Sequence, residues 1–221
     1  MATQDEKEQQ ITFKTNHAAS KRFWHWSNFT LVILQLITVF FALVVFSTHN
    51  TVSSLQRVLD FTHGSLTDKQ TQFMAHSVTD QIWQWHKYIG YAIGALLLFR
   101  IIIEFFQDSD QKIFNIVKKA FGLYKAAERN RGHALHYLYS KLSYVFFYIV
   151  ISVQVITGFG MAFGRSLNLP RSVGGVMHEI HETDLYIILA YVVLHIIGVV
   201  WAELHKDQGI VSDMINGGEE A

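Results

Sequence analysis

Twelve histidines, in a chain where only 16% of residues are Asp, Glu, Lys or Arg, are the side chains best placed to do chemistry. Four of them, His25, His86, His181 and His195, lie within or at the ends of long apolar blocks. An ionisable group in such a block is costly and is generally kept for function. His181 and His195 are fourteen residues apart. On an α-helix that interval covers about 1400°, roughly 40° short of four turns, and rises about 21 Å. Both rings therefore point to nearly the same face at two depths. His25 matches the depth of His195, and His86 that of His181. Two His–His pairs, each bridging two helices, are what two b-type haems require. The porphyrin slots between helices and its iron takes one imidazole from each side, with no covalent attachment. Such an iron has no open position for oxygen or substrate, so its chemistry is the passage of single electrons. His178 is a rival for the outer position. It lies seventeen residues before His195, roughly 100° off the shared face, and is read as a surface residue.

These histidines are carried by four apolar segments, approximately residues 23–47, 82–103, 142–163 and 180–202. A helix needs roughly 20 mostly apolar residues to cross a bilayer. The first and third segments are apolar all round, whereas a soluble helix would show a polar stripe. The expected fold class is all-α: a single domain over 1–221, an integral membrane four-helix bundle binding two haems b, with extra interfacial helices in the connectors. The outer connector, 48–81, is long enough for a small cap or helix. Within the inner connector, 107–138, the stretch IFNIVKKAFGLYKAA reads as a basic amphipathic helix on the inner leaflet. Trp24, Trp26, Trp83, Trp85 and Trp201 fall at span ends, where indole rings favour the interface. No internal repeat or low-complexity tract is read.

Composition removes several alternatives. The chain has no cysteine, which excludes disulfides, thiolate-held zinc, iron–sulfur clusters and haem attached through C-x-x-C-H. A formal net charge of zero gives nucleic acid no bulk electrostatic footing. The first 22 residues are polar and lack an apolar core, so no cleaved signal peptide is expected and the first span would direct insertion. Lys and Arg concentrate on one side. The amino terminus, the whole segment between the second and third spans (Lys141 included) and the carboxyl terminus hold twelve, against four on the other side (Arg57, Lys69, Arg165, Arg171). The positive-inside rule then places both termini in the cytoplasm.

The pattern resembles the bacterial cytochrome b561 group and the related b-type cytochrome subunit of membrane nickel–iron hydrogenases. The matching pieces are R-F-W-H-W around His25, His86 shortly followed by Y-I-G, G-H ending at His133 with V-I-T-G-F in the third span, and H-E-x12-H from His181 to His195. They cover about residues 20–215. The resemblance implies four core helices, two haems b and electron exchange with the quinone pool, in a multi-pass protein of the bacterial inner membrane. By position, His25 and His195 would ligate the inner haem, and His86 and His181 the outer one. It also implies that His133, at the inner interface, neighbours a quinone and exchanges a proton with it. The outer-face partner would be a periplasmic hydrogenase, another dehydrogenase, a soluble cytochrome or superoxide. The connector 48–81 matches neither relative and is a candidate partner surface.

Haem propionates are anionic and need donors. Arg22 and Arg100 are placed for this at the inner level, and Lys87, Arg165 and Arg171 at the outer. His136 ranks behind His133. Gly90 and Gly94 in the second span, and Gly158, Gly160 and Gly164 in the third, permit close helix contact or approach of a flat ligand. Two other readings of the histidines are a metal-ion transporter and a haem-free membrane anchor. Transport sites gather ligands with carboxylates at one depth, whereas these histidines divide into two levels with no Asp or Glu expected at mid-span. An anchor leaves the paired histidines without a purpose.

Overall fold

The computed structural model describes residues 19–109, 112–127, 131–205 and 209–217, apart from the His133 side chain. The apolar segments contain no proline, so nothing interrupts the backbone ladder. In hydrocarbon a helix also satisfies every backbone group within one segment. The chain forms α1 (Ala19–Phe40), continued by a π-helical turn (Phe41–Val45), then α2 (Thr48–Thr62), α3 (Asp68–Phe106), α4 (Ile113–Ala126), α5 (Arg131–Phe163), α6 (Arg171–His205) and α7 (Ile210–Asn216). Among the described residues there is no strand.

Among the described residues, four helical stretches are long and apolar enough to cross a membrane: Ala19–Val45, Asp68–Phe106, Ala134–Phe163 and Arg171–His205. Their apolar side chains face outward. Leu98, Ile149, Leu194 and Ile197 are 59, 58, 68 and 57% exposed. Water would penalise such continuous apolar surface, and lipid matches it.

The spans begin earlier than their apolar cores suggest. α3 has 39 residues, about 58 Å of helix against a hydrocarbon core of about 30 Å. Its polar first half therefore projects, and the expected outer connector 48–81 is α2 plus the first turns of α3. The start is set by a capping box: the Gln70 N–H donates to the Thr67 hydroxyl oxygen while Gln70 Oε1 accepts from the Thr67 N–H. Both otherwise orphaned donors are satisfied. α2 opens on Ser47, whose hydroxyl oxygen accepts from the Asn50 N–H, and closes with His63 in the left-handed region. It packs on the α3 extension, where Thr71 and Ala75 are buried.

α5 begins at Arg131, well before Leu142, and α6 at Arg171, directly after the single proline, Pro170. Proline suits that position because no helical N–H is needed there. The inner-connector helix is present as α4. The Ile113 N–H at its start donates to the Glu104 carboxylate, and α4 packs along α5.

The chain divides into two compact units, 28–190 and 1–27 with 191–221. In the first, α3 packs against α2, α5 and the π-helical turn. In the second, α7 is fastened at both ends. Glu203 accepts from the Gly209 and Val211 N–H groups (2.9 and 3.1 Å). Arg22 Nη1 donates to the Ile215 carbonyl (2.7 Å) and Trp26 Nε1 to the Met214 carbonyl (3.0 Å). A cation at a helix carboxyl end meets the negative pole of its dipole.

Candidate functional site

Each compact unit contains one of the histidine pairs. In unit 28–190, the His86 ring of α3 faces the His181 ring of α6 with centroids 6.4 Å apart. In the other unit, His25 of α1 faces His195 of α6 at 6.2 Å. An iron bound to two imidazoles at about 2.0 Å per bond, with each centroid about 1.1–1.2 Å behind its nitrogen, separates the centroids by about 6.3 Å. Both pairs lie at that separation. Turning a ring about its iron–nitrogen axis leaves the separation unchanged, so interplanar angles of 76° and 57° are no obstacle.

The His86–His181 pair opens on a cavity of about 560 Å³ in unit 28–190, within the range of cofactor pockets. Its walls are mainly apolar, with Val32, Val39, Ile93, Ile151, Phe159 and Leu185 prominent. Lys87, His178 and Glu182 also line it. Two imidazoles, apolar walls and an adjoining lysine suit a flat apolar ring that carries carboxylates. The residues present therefore fit a haem.

Two glycines make room at this cavity. A Cβ on Gly158 would stand 3.1 Å from His181 Cε1, so the glycine lets the ring lie close to α5. Gly90 lines the cavity and a Cβ there would meet only Gln35 Nε2, at 3.5 Å. Gly94 serves helix contact instead, lying against the Phe159 ring.

Polar partners hold both rings of this pair. His86 Nδ1 is 2.9 Å from Thr38 Oγ1, and the Gln35 amide nitrogen donates to His86 Nε2 at 2.9 Å. His181 Nδ1 is 2.9 Å from Thr157 Oγ1. Oriented to satisfy the buried Asp184, the Gln154 amide nitrogen donates to Asp184 Oδ2 (2.9 Å) and to the His181 carbonyl (3.2 Å), which leaves its oxygen 3.1 Å from His181 Nε2. None of these five partners was singled out from the sequence. The available signal was a short motif recurring in two spans, Gln35-Leu-Ile-Thr38 and Gln154-Val-Ile-Thr157. Asp184 is 5% exposed and stands three residues from His181.

In the other unit, Tyr191 stacks on His195 with centroids 5.9 Å apart and planes within 6°, and Trp26 meets the His25 ring edge-on.

The remaining candidates fall as follows. Arg22, expected at a propionate, donates to the α7 carbonyl end and keeps its Nε buried without a hydrogen bond. Arg100 lies in unit 28–190. It pairs with Glu104 at 2.9 Å, its Nε donates to the Tyr148 hydroxyl at 3.1 Å, and its Nη1 is buried without a partner. His178 does not meet His86; it is exposed, 3.8 Å from the Glu182 carboxylate. The His133 side chain lies outside the described residues, although its backbone belongs to α5. Among the described residues no three His, Asp or Glu side chains gather where they could hold a metal ion.

A family model described as prokaryotic cytochrome b561 matches residues 16–217. No curated protein and no solved structure matches the chain.

Proposed function

The chain belongs to the prokaryotic cytochrome b561 family, membrane b-type cytochromes of electron transfer, and from that membership we propose a di-haem protein that carries electrons across the bacterial inner membrane between the quinone pool and a periplasmic redox partner. The observation that carries the proposal is the presence of two His–His pairs at ring separations of 6.2 and 6.4 Å. Each matches the spacing that a bis-imidazole iron sets. In this reading His86 and His181 hold one haem b, and His25 and His195 hold the other.

A bis-histidine haem iron exchanges one electron at a time and binds neither oxygen nor substrate readily. The chain's own residues do the rest. The four imidazoles fix the irons. The apolar cavity walls exclude water, and Lys87, on the cavity lining, offers a cation to a propionate. Arg22, with one guanidinium N–H unshared, is the corresponding donor in the other unit. His181 and His195 are fourteen residues apart in the sequence, an interval that supports the reading of two haem levels.

The quinone assignment rests on family likeness, with His133 as the group that exchanges protons with it. The excess of Lys and Arg in the inner segments supports cytoplasmic termini. On that orientation α2 and the projecting half of α3 face the periplasm and are the surface for a hydrogenase or other dehydrogenase.

The test is an oxidised-minus-reduced spectrum and a haem-to-chain ratio on detergent-solubilised protein. The expected result is sharp low-spin b-type bands, two haems per chain, and reduction by a quinol. Alanine at His86 or His181 should remove one haem, and alanine at His25 or His195 the other. A colourless protein that binds zinc overturns the proposal. So does a variant of any of these histidines that keeps both haems.

A further inference from the structure

The spans contain one short motif twice, Gln-Leu-Ile-Thr at 35–38 in α1 and Gln-Val-Ile-Thr at 154–157 in α5. Residues three apart share a helix face. In both cases that face meets a histidine from another helix: His86 of α3 for the first motif, His181 of α6 for the second. The correspondence extends to individual atoms. Each threonine hydroxyl lies 2.9 Å from an Nδ1. Each glutamine amide lies at the same ring's Nε2, at 2.9 Å for Gln35 and 3.1 Å for Gln154. The two motifs thus grip the two facing rings from opposite sides of one cavity.

Each threonine is also bonded behind. The Thr38 hydroxyl donates to the Gln35 carbonyl at 2.6 Å. The Thr157 hydroxyl donates to the Val153 carbonyl at 2.7 Å. A hydroxyl has one proton. With that proton given to a carbonyl, the oxygen is an acceptor and favours Nδ1–H on the ring facing it. That puts the lone pair on Nε2, the tautomer that can bind iron; at His86 the Gln35 N–H on Nε2 agrees with it, whereas at His181 the Gln154 oxygen on Nε2 opposes it and must leave before that nitrogen can take iron. The glutamine amides occupy the Nε2 side by hydrogen bonds alone and can swing aside. The threonines are on short side chains seated against their own helices.

We propose that Thr38 and Thr157 are positioning residues that act through His86 and His181, fixing the tautomer and raising the basicity of both imidazoles so as to hold down the reduction potential of the haem they share. The inference rests on the di-haem reading and deepens it at one of the two sites. An acceptor behind a ligating imidazole increases its electron donation. Greater donation favours the ferric state, so the potential falls; removing the acceptor raises it.

The test uses full-length protein in detergent. Thr38→Val and Thr157→Val keep the side-chain shape and delete the hydroxyl; Thr38→Ser and Thr157→Ser restore it. The readouts are haem-to-chain ratio, a potentiometric titration followed at the reduced b-type band, and the low-temperature electron paramagnetic resonance of the ferric form. Each valine variant should shift one haem to higher potential and change its ferric signal. The other haem should stay where it was. Serine should return both readings to those of the parent. Loss of that one haem with valine, and its retention with serine, also supports the proposal. Two haems with unmoved potentials in both valine variants would leave the di-haem reading intact and refute this one. Loss of the haem with valine and serine alike would refute it too, since volume rather than the hydroxyl would then matter. A parent protein with fewer than two haems would overturn both readings together.

Discussion

Gly158→Ala adds one methyl group directly against the His181 ring. The new carbon would lie 3.1 Å from His181 Cε1 and 3.7 Å from its Nδ1. Ordinary carbon–carbon contact is about 3.5–4.0 Å, so the ring must retreat by roughly 0.4–0.9 Å, or α5 and α6 must part. A metal–ligand distance tolerates only about 0.2 Å. The retreat also pulls on the Thr157–Nδ1 bond, because Thr157 and Gly158 are adjacent. Overpacking of this kind costs about 1–3 kcal/mol. If that cost falls on the loaded state, haem is held about 5- to 150-fold less tightly, at about 1.4 kcal/mol per factor of ten.

The assay is haem transfer from the purified cytochrome to excess apomyoglobin. In Gly158→Ala one haem should leave faster by a factor in that range, and the other at the parent rate. Gly174→Ala is the control. It also lies in a helix of unit 28–190, but nothing stands within 4 Å of its added carbon, so both rates should be unchanged. The reasoning fails if Gly158→Ala releases both haems at parental rates. It fails equally if both are loosened to the same extent, since the steric contact involves His181 alone.

Three further outcomes follow from the geometry. Glu104→Gln removes the partner of Arg100, which is 18% exposed with its Nη1 already unshared, and weakens the acceptor at the start of α4. Partial solvation places the loss at about 1–3 kcal/mol, below that of a fully buried pair, visible as a lower melting temperature by circular dichroism; an unchanged melt would show that the pair is solvated. Gly217→Ala sets a side chain at φ 103°, with its Cβ 3.1 Å from the Arg22 guanidinium carbon. It should release α7 at a cost of about 1–2 kcal/mol and raise protease cleavage after residue 205. Because the chain has no cysteine, single cysteines report topology directly. Gln56→Cys on α2 should react with an impermeant maleimide in intact spheroplasts and Lys119→Cys on α4 only after lysis; the opposite pattern would reverse the proposed orientation.

How far the sequence reveals this protein depends on which physical signal sets each feature. The four spans were legible because lipid demands long unbroken apolarity, a signal spread over some twenty residues. Their ends were not, because the ends lie beyond the apolar core and are set by local chemistry. Thr67 and Gln70 start α3 some four turns before its apolar core, and Pro170 starts α6 nine residues before its expected limit. The amphipathic α4 was legible from its own periodicity. Its anchoring on Glu104 was not, since a carboxylate capping another helix has no sequence spacing.

The same distinction applies within the site. Histidines in apolar helices stand out because burying them is costly, and a fourteen-residue interval is simple helical geometry. Arginines carry no such constraint. Their long side chains reach many acceptors, and Arg22 and Arg100 were each bonded to a protein carbonyl or carboxylate that helix register alone does not identify. Gln35, Thr38 and Gln154 sat unremarked, and Thr157 entered only as a letter of V-I-T-G-F, because a threonine in a span ordinarily bonds its own backbone and a glutamine ordinarily bridges helices. Here both ordinary bonds are made, and they are what gives the threonines their direction. A hydroxyl whose proton is tied to a carbonyl one turn back becomes a fixed acceptor, and a fixed acceptor selects the ring tautomer opposite it. A chemically specific site can therefore be built from residues whose types are individually unremarkable, and only the pairing of the helices makes it visible.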